Sequence, residues 1–282
     1  MILSLPPADR DAATVAHFCP IGGAFRKPET AGLPVAMAIR GLALGGGCEL
    51  ALAGHCRVLT DAPSTAPGMP ESLVGLQPGG GTQRLPRLVG PDASLLVRLE
   101  GARFDPATAL RLGAANRVLP PGQELAAAEA WLRRAPDPRQ PWDSPGWRDP
   151  SADQVSAVLD TVRGPMLART GGHSPAEPAI LECLQRGVPV AMDAGIAAEI
   201  EIFARLVQRI EPRNMIAVNF LGRVDYDRAA RKGTLPAALR DFVADVRGAL
   251  GAAITVNHDI VIEAARFARL DVTGTLPPAD PA

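Results

Sequence analysis

Two glutamates and two glycine turns in the first third of the chain have the residue types for acid–base chemistry beside an anion site. The triplet Gly45-Gly46-Gly47 stands between an apolar run ending at Leu44 and the segment Cys48-Glu49-Leu50-Ala51-Leu52-Ala53. A strand, a glycine turn and a helix N-terminus leave backbone N–H groups pointing at an anion. Gly46 can offer its N–H with no Cβ blocking a ligand. Glu49 falls on the first turn of the same helix, where the macrodipole favours a carboxylate. Glu71 comes from the Pro-flanked loop Pro67-Gly68-Met69-Pro70, and Gly79 follows at a turn where a ligand can approach the backbone. Two carboxylates beside an oxyanion site suit addition of a proton and a hydroxide across an activated double bond. One acid works on water, the other delivers a proton to carbon, and N–H donors hold the developing oxyanion. Each feature also has a plainer reading: a tight turn, a dipole-complementing acid, an ordinary loop acid.

The elements that position these residues follow from periodicity. The run over 34–39 has buried-strand character, and Arg57-Val58-Leu59-Thr60 reads as a second strand. Thr82 is placed to cap a short helix through Arg87. Residues 92–100, 106–112 and 123–134 read as helices, with a strand at Arg117-Val118-Leu119. Residues 1–32, punctuated by Pro6-Pro7, Gly22-Gly23 and Pro28, read as irregular. From Pro136 to Pro150 the chain fits neither period and reads as a linker or wrapping segment. Residues 175–186, 190–210 and 236–250 have helical spacing, and fraying is expected from Thr273. The reading is therefore an α/β core over 1–135, a Pro-rich linker over 136–173 and a helical extension over 174–282.

Composition narrows the function classes. The 282 residues carry 29 basic and 30 acidic side chains, a formal net charge of −1. That balance argues against a nucleic-acid partner, which would demand a basic face. The four cysteines and four histidines have no metal-ligand spacing, so no metal is expected, and scattered thiols point to a reducing, cytoplasmic setting. Nothing in the sequence approaches the roughly 20 apolar residues of a membrane span, and the N-terminus lacks a signal-peptide pattern.

Three ordered blocks carry a resemblance to a known family. Residues 33–41 with 42–53, then Gly68-Met69-Pro70-Glu71 with residues 75–87, then residues 109–113 with Arg117-Val118, closely resemble the signatures of the crotonase (enoyl-CoA hydratase/isomerase) family. The resemblance implies a crotonase-like ββα spiral, here shortened at its N-terminal side. It implies that Gly46 is an oxyanion-hole donor, that Glu49 and Glu71 are the catalytic pair, and that Gly79 helps hold the substrate or its water. Glutamate at both positions resembles a hydratase acting on a 2-enoyl-CoA in fatty-acid β-oxidation, with coenzyme A part of the substrate and no separate cofactor. A degenerate or truncated protein without turnover, retained as a partner subunit, and a Δ3-Δ2 enoyl-CoA isomerase based on Glu71 are the alternatives.

His55, Pro141-Trp142-Asp143, Gly146, Pro178-Ala179-Ile180 and Arg213-Asn214-Met215-Ile216 resemble the hydratase half of bacterial bifunctional hydratase/3-hydroxyacyl-CoA dehydrogenases. In those proteins a helix from this region returns to complete the hydratase domain. His55 itself reads as a helix-end residue bonded to a last-turn carbonyl. No GxGxxG turn occurs, so NAD binding is not expected. The family's second oxyanion donor comes from an upstream loop, of which Gly22-Gly23-Ala24-Phe25 reads as a shortened remnant, and the short front is expected to lower activity. A homo-oligomer or a partner chain is compatible with this organisation.

Overall fold

The computed structural model describes residues 6–238, 240 and 241. The chain divides into two compact units, Met1–Pro212 and Arg213–Ala282. The first unit is mixed α/β and carries every residue singled out above for chemistry.

It opens with helix α1 (Pro7–Thr30) and continues through β1 (Ala36–Ile39), β2 (Leu42–Leu44), α2 (Gly46–Leu52), β3 (Cys56–Thr60) and β4 (Ala66–Gly68). A 3-10 turn (Pro70–Val74) leads to α3 (Gly81–Val89), α4 (Pro91–Leu99), α5 (Pro106–Leu112), β5 (Arg117–Leu119) and α6 (Glu124–Leu132). Then come α7 (Ala152–Thr170), α8 (Ala176–Gly187) and α9 (Met192–Val207). In the second unit a π-helical stretch (Ile216–Gly222) runs into the helix Arg223–Lys232.

Both sheets are parallel. One has the order β1-β3-β5, with Ala36 opposite Cys56 and Val58 opposite Arg117. The other pairs β2 with β4, Leu42 opposite Ala66 and Leu44 opposite Gly68. Parallel pairing sends both chains out at the same sheet end. The Gly45 N–H fixes that exit by donating to the Gly68 carbonyl at 2.9 Å. The turn before Glu49 and the segment before Glu71 therefore leave the sheet side by side. A core of Ile39, Leu52, Leu59, Leu85 and Phe104 backs this arrangement.

Four expectations are corrected. Residues 1–32 were expected to be irregular, yet Pro7–Thr30 forms one helix that contains Pro20 and Pro28. Tertiary bonds hold it: Arg26 binds Asp143 through paired contacts of 2.9 Å and Asp193 at 2.8 Å. Within the interval expected as a linker, α7 begins at a capping box in which Ser151 and Gln154 satisfy each other's backbone N–H groups. Its Val155 and Leu159 pack against Leu95, Leu99, Ile180 and Leu184. Thr82 does not cap α3; Gly80 occupies that position. His55 bonds a last-turn carbonyl of α1 rather than of its own helix: its Nδ1 accepts from the Val35 N–H at 3.0 Å and its Nε2 lies 3.3 Å from the Glu29 carbonyl.

The segment from Pro136 to Pro150 wraps the first unit. Gln140 donates to the Ala53 carbonyl at 2.8 Å, and Trp142 joins Met192, Ile196 and Ile200. The helix expected over 236–250 lies largely outside the described residues, and the tail from Thr273 wholly so. No helix among the described residues is long and apolar enough to cross a membrane.

The capping box makes α7 testable. Ser151→Ala should lower unfolding free energy by about 1 kcal/mol, the usual cost of losing such a cap, in a urea denaturation series. An unchanged midpoint would mean that the box does not hold the helix.

Candidate active site

Glu49 sits on the first turn of α2 and is buried, 5% exposed. Its carboxylate accepts the Gly81 N–H at 2.9 Å and a second backbone bond from Gly79. Those donors come from the turn entering α3. A Cβ on Gly81 would lie 2.4 Å from Met69 Cε, so Met69 packs against the turn in the space that glycine leaves open.

Glu71 lies at the start of the 3-10 turn, against the Gly45 backbone. A Cβ on Gly45 would meet Glu71 Oε1 at 2.9 Å, and Gly45 has φ +57, a left-handed conformation natural to glycine. The other oxygen of Glu71, Oε2, is buried without a hydrogen-bond partner.

A cavity of ≈ 290 Å³ receives both carboxylates, and Gly46 and Gly79 face it as well. All four residues singled out in the sequence are thus brought to one place. A Cβ at Gly46 or Gly79 would meet nothing within 4 Å, so each backbone is open to a ligand. The rest of the lining is mostly apolar: Phe25 from α1, Leu76 after the 3-10 turn, and Ile200 and Phe203 from α9. Glu199, also on α9, accepts a hydrogen bond from the Thr82 hydroxyl through its carboxylate and one from Gln77 through its carbonyl.

Sequence reasoning placed Phe25 only within a shortened donor loop and missed Glu199, Ile200 and Phe203. The helical spacing of the last three was visible, but their meeting with α3 depends on tertiary packing. The segment Gly22-Gly23-Ala24, read as a shortened donor loop, instead lies inside α1. Its amides belong to a helix rather than to an open loop.

The two acids differ in environment. Burial pushes both above the ordinary carboxylate value of 4.5. For Glu49 the Gly81 and Gly79 amides and the Arg84 guanidinium act in the opposite direction. For Glu71 the negative charge of Glu49 adds to burial, and its carboxyl is raised to about 8, with its own backbone amide as the counterweight. The arrangement therefore favours a shared proton on Glu71 rather than on Glu49.

This has a stability consequence. The folded-state value of Glu71 lies above its ordinary one, so its contribution is fully present below pH 4.5 and is lost as pH rises through about 8. Glu71→Gln, which cannot ionise, should gain several degrees in Tm relative to the parent as pH is raised from 5 to 9. A Tm difference independent of pH would contradict the placement of the proton.

Residues 24–138 match the family model described as enoyl-CoA hydratase/isomerase. The fatty acid oxidation complex subunit alpha of Shewanella frigidimarina is 32% identical over 234 residues, covering 82% of this chain and 33% of that protein. The same subunit of Shewanella putrefaciens is 34% identical over 234 residues, with the same coverage. The chain thus spans about a third of the length of these curated relatives. Among solved structures, an enoyl-CoA hydratase/isomerase from Pseudoalteromonas atlantica shares 19% identity over 70% of this chain and 64% of that one, with a TM-score of 0.46. The block bearing Glu49, Glu71, Gly46 and Gly79 lies inside residues 24–138, and that segment is a domain of the enoyl-CoA hydratase/isomerase family, the crotonase family.

Proposed function

We propose that the chain hydrates a 2-enoyl-CoA, and that Glu49 and Glu71 divide the work according to where the pair holds its proton. The observation that carries this reading is two carboxyls facing one largely apolar cavity, Glu49 buried and Glu71 half-buried, the first supported as the anion by backbone N–H groups and the second favoured as the acid. Glu49, as the carboxylate, takes a proton from water as the oxygen bonds to C3 of the enoyl group. The electron pair of the double bond moves toward the thioester, and charge gathers on its carbonyl oxygen. Gly46 lines the cavity with no side chain in the way, and its N–H is suited to donate a hydrogen bond to that oxygen. Glu71 then gives its proton to C2. The product is the 3-hydroxyacyl thioester, and the enzyme is left with its proton on Glu49 rather than Glu71. Exchange through solvent resets the pair.

The reading needs no metal and no nicotinamide, and the thioester's coenzyme A belongs to the substrate. Phe25, Leu76, Ile200 and Phe203 supply an apolar wall for an acyl chain. Place in fatty-acid β-oxidation is an inference from the relatives, whose names include a fatty acid oxidation complex.

Loss of absorbance of the conjugated thioester of crotonyl-CoA measures the reaction. Glu49→Gln and Glu71→Gln should each lower kcat by at least ~10²-fold, the scale of losing a general acid or base. In the parent, kcat/KM should decline as pH rises through about 8, because the productive form needs a protonated Glu71. Parental rates in both variants would remove the pair from the reaction. Double-bond migration in a 3-enoyl-CoA without any hydration would point to an isomerase instead.

A further inference from the structure

The turn that holds Glu49 is itself gripped by a buried cation. Arg84, on α3, is completely buried. Its Nε donates to Glu29 Oε1 at 2.5 Å and its Nη2 to Glu29 Oε2 at 3.1 Å, a bidentate pair with the last turn of α1. Its Nη1 donates to the Gly80 carbonyl at 3.1 Å. Gly80 lies between Gly79 and Gly81, the two residues whose amides bond Glu49. The fit around Gly80 is close: a Cβ there would stand 2.9 Å from Arg84 Nη1 and 3.2 Å from Phe25 Cδ2. The guanidinium carbon also lies 5.7 Å from the centroid of the Phe25 ring, which faces the cavity.

We infer that Arg84 is a positioning residue: clamped by Glu29, it fixes the Gly79-Gly80-Gly81 turn so that the turn's N–H groups converge on the Glu49 carboxylate. The inference rests on the reading of Glu49 as the base, and it assigns α1 a part in the site through Glu29 and Phe25. Three features of Arg84 suit the role. The planar fork occupies Glu29 with two nitrogens while the third reaches Gly80, which an ammonium could not reproduce. Its charge acts on Glu49 in a buried setting where water does little screening. Glu29 is also tied to Arg26 at 2.8 Å, and Arg26 to Asp143 and Asp193, so the clamp is anchored to the wrapping segment and to α9. The charged or titratable groups acting on Glu49 are Arg84 from α3, Glu71 from the 3-10 turn and Cys48 beside it on α2. Those around Arg84 are Glu29, Arg26 through Glu29, and Arg87.

The test removes the clamp as a pair. Replacing a buried ion pair by apolar residues is often neutral for folding, whereas removing one partner strands the other charge. The double variant Arg84→Met, Glu29→Leu is therefore made, with Arg84→Lys as a second variant that keeps both charges but not the fork. Chemical denaturation reports folding. In a Glu71→Gln background, where Glu49 titrates without its coupled partner, carbon-13 NMR of labelled glutamate carboxyls reads the Glu49 midpoint, assigned by its loss in Glu49→Gln. The midpoint should rise by about one pH unit or more in the double variant, the scale of losing a nearby opposite charge, and by less in Arg84→Lys. With Glu71 restored, the acid limb of kcat/KM on crotonyl-CoA should move up with it and kcat should fall about tenfold or more. Native stability with an unmoved Glu49 midpoint, in either variant, overturns the inference. A parent that does not hydrate crotonyl-CoA overturns the hydratase reading instead, and the NMR midpoint still decides the role of Arg84.

Discussion

The placing of two carboxyls, one buried and one half-buried, in one largely apolar cavity is the constraint around which the first unit is organised. Neither acid can ionise there at its ordinary pH without support, because a desolvated charge must be repaid by hydrogen bonds or an opposite charge. Glu49 receives both, from the Gly79 and Gly81 amides and from Arg84. Glu71 receives its own amide, faces the Glu49 charge, and keeps one oxygen without a partner. The asymmetry between a supported anion and a favoured acid is what turns two like residues into a base and an acid.

That asymmetry is produced by backbone geometry. Parallel pairing of β2 with β4 brings the approaches to Glu49 and Glu71 out together, and the Gly45 amide locks the two exits. Glycine at 45 and 81 then lets a carboxyl or a sulfur-bearing side chain pack where a Cβ would collide. Around this centre Arg84 is held by Glu29 of α1, while the carbonyls of Gly187, Val188 and Val190 and the carboxylate of Asp149 hold Arg87. Buried arginines thus bind α3 to both flanking helical regions, so α3 presents its N-terminal turn to the site from a rigid frame.

Much of this was legible in the sequence. Glu49, Glu71, Gly46 and Gly79 stand in short, ordered motifs whose spacing is local, and the structure gathers them into one cavity. The strands over 36–39 and 56–60 follow apolar runs. What escaped the sequence depends on partners far along the chain. Pro20, Pro28 and the Gly22-Gly23 pair argue locally against a helix, and α1 forms because Arg26 and Glu29 are fixed by residues of α3, α9 and the wrapping segment. Pro165 and Gly164 likewise hide α7, whose buried stripe is satisfied by α4 and α8. Glu199 and Phe203 carry no local mark of a site; they reach it because α9 packs across the first turn of α3.

The central claim is that at neutral pH the pair holds one proton and that Glu71 holds it. Infrared difference spectroscopy of the parent against Glu71→Gln at pH 7 counts protonated buried carboxyls directly. A protonated-carboxyl band present in the parent and missing from the variant is the predicted result. A parent without that band, or a variant that retains it, would contradict the account.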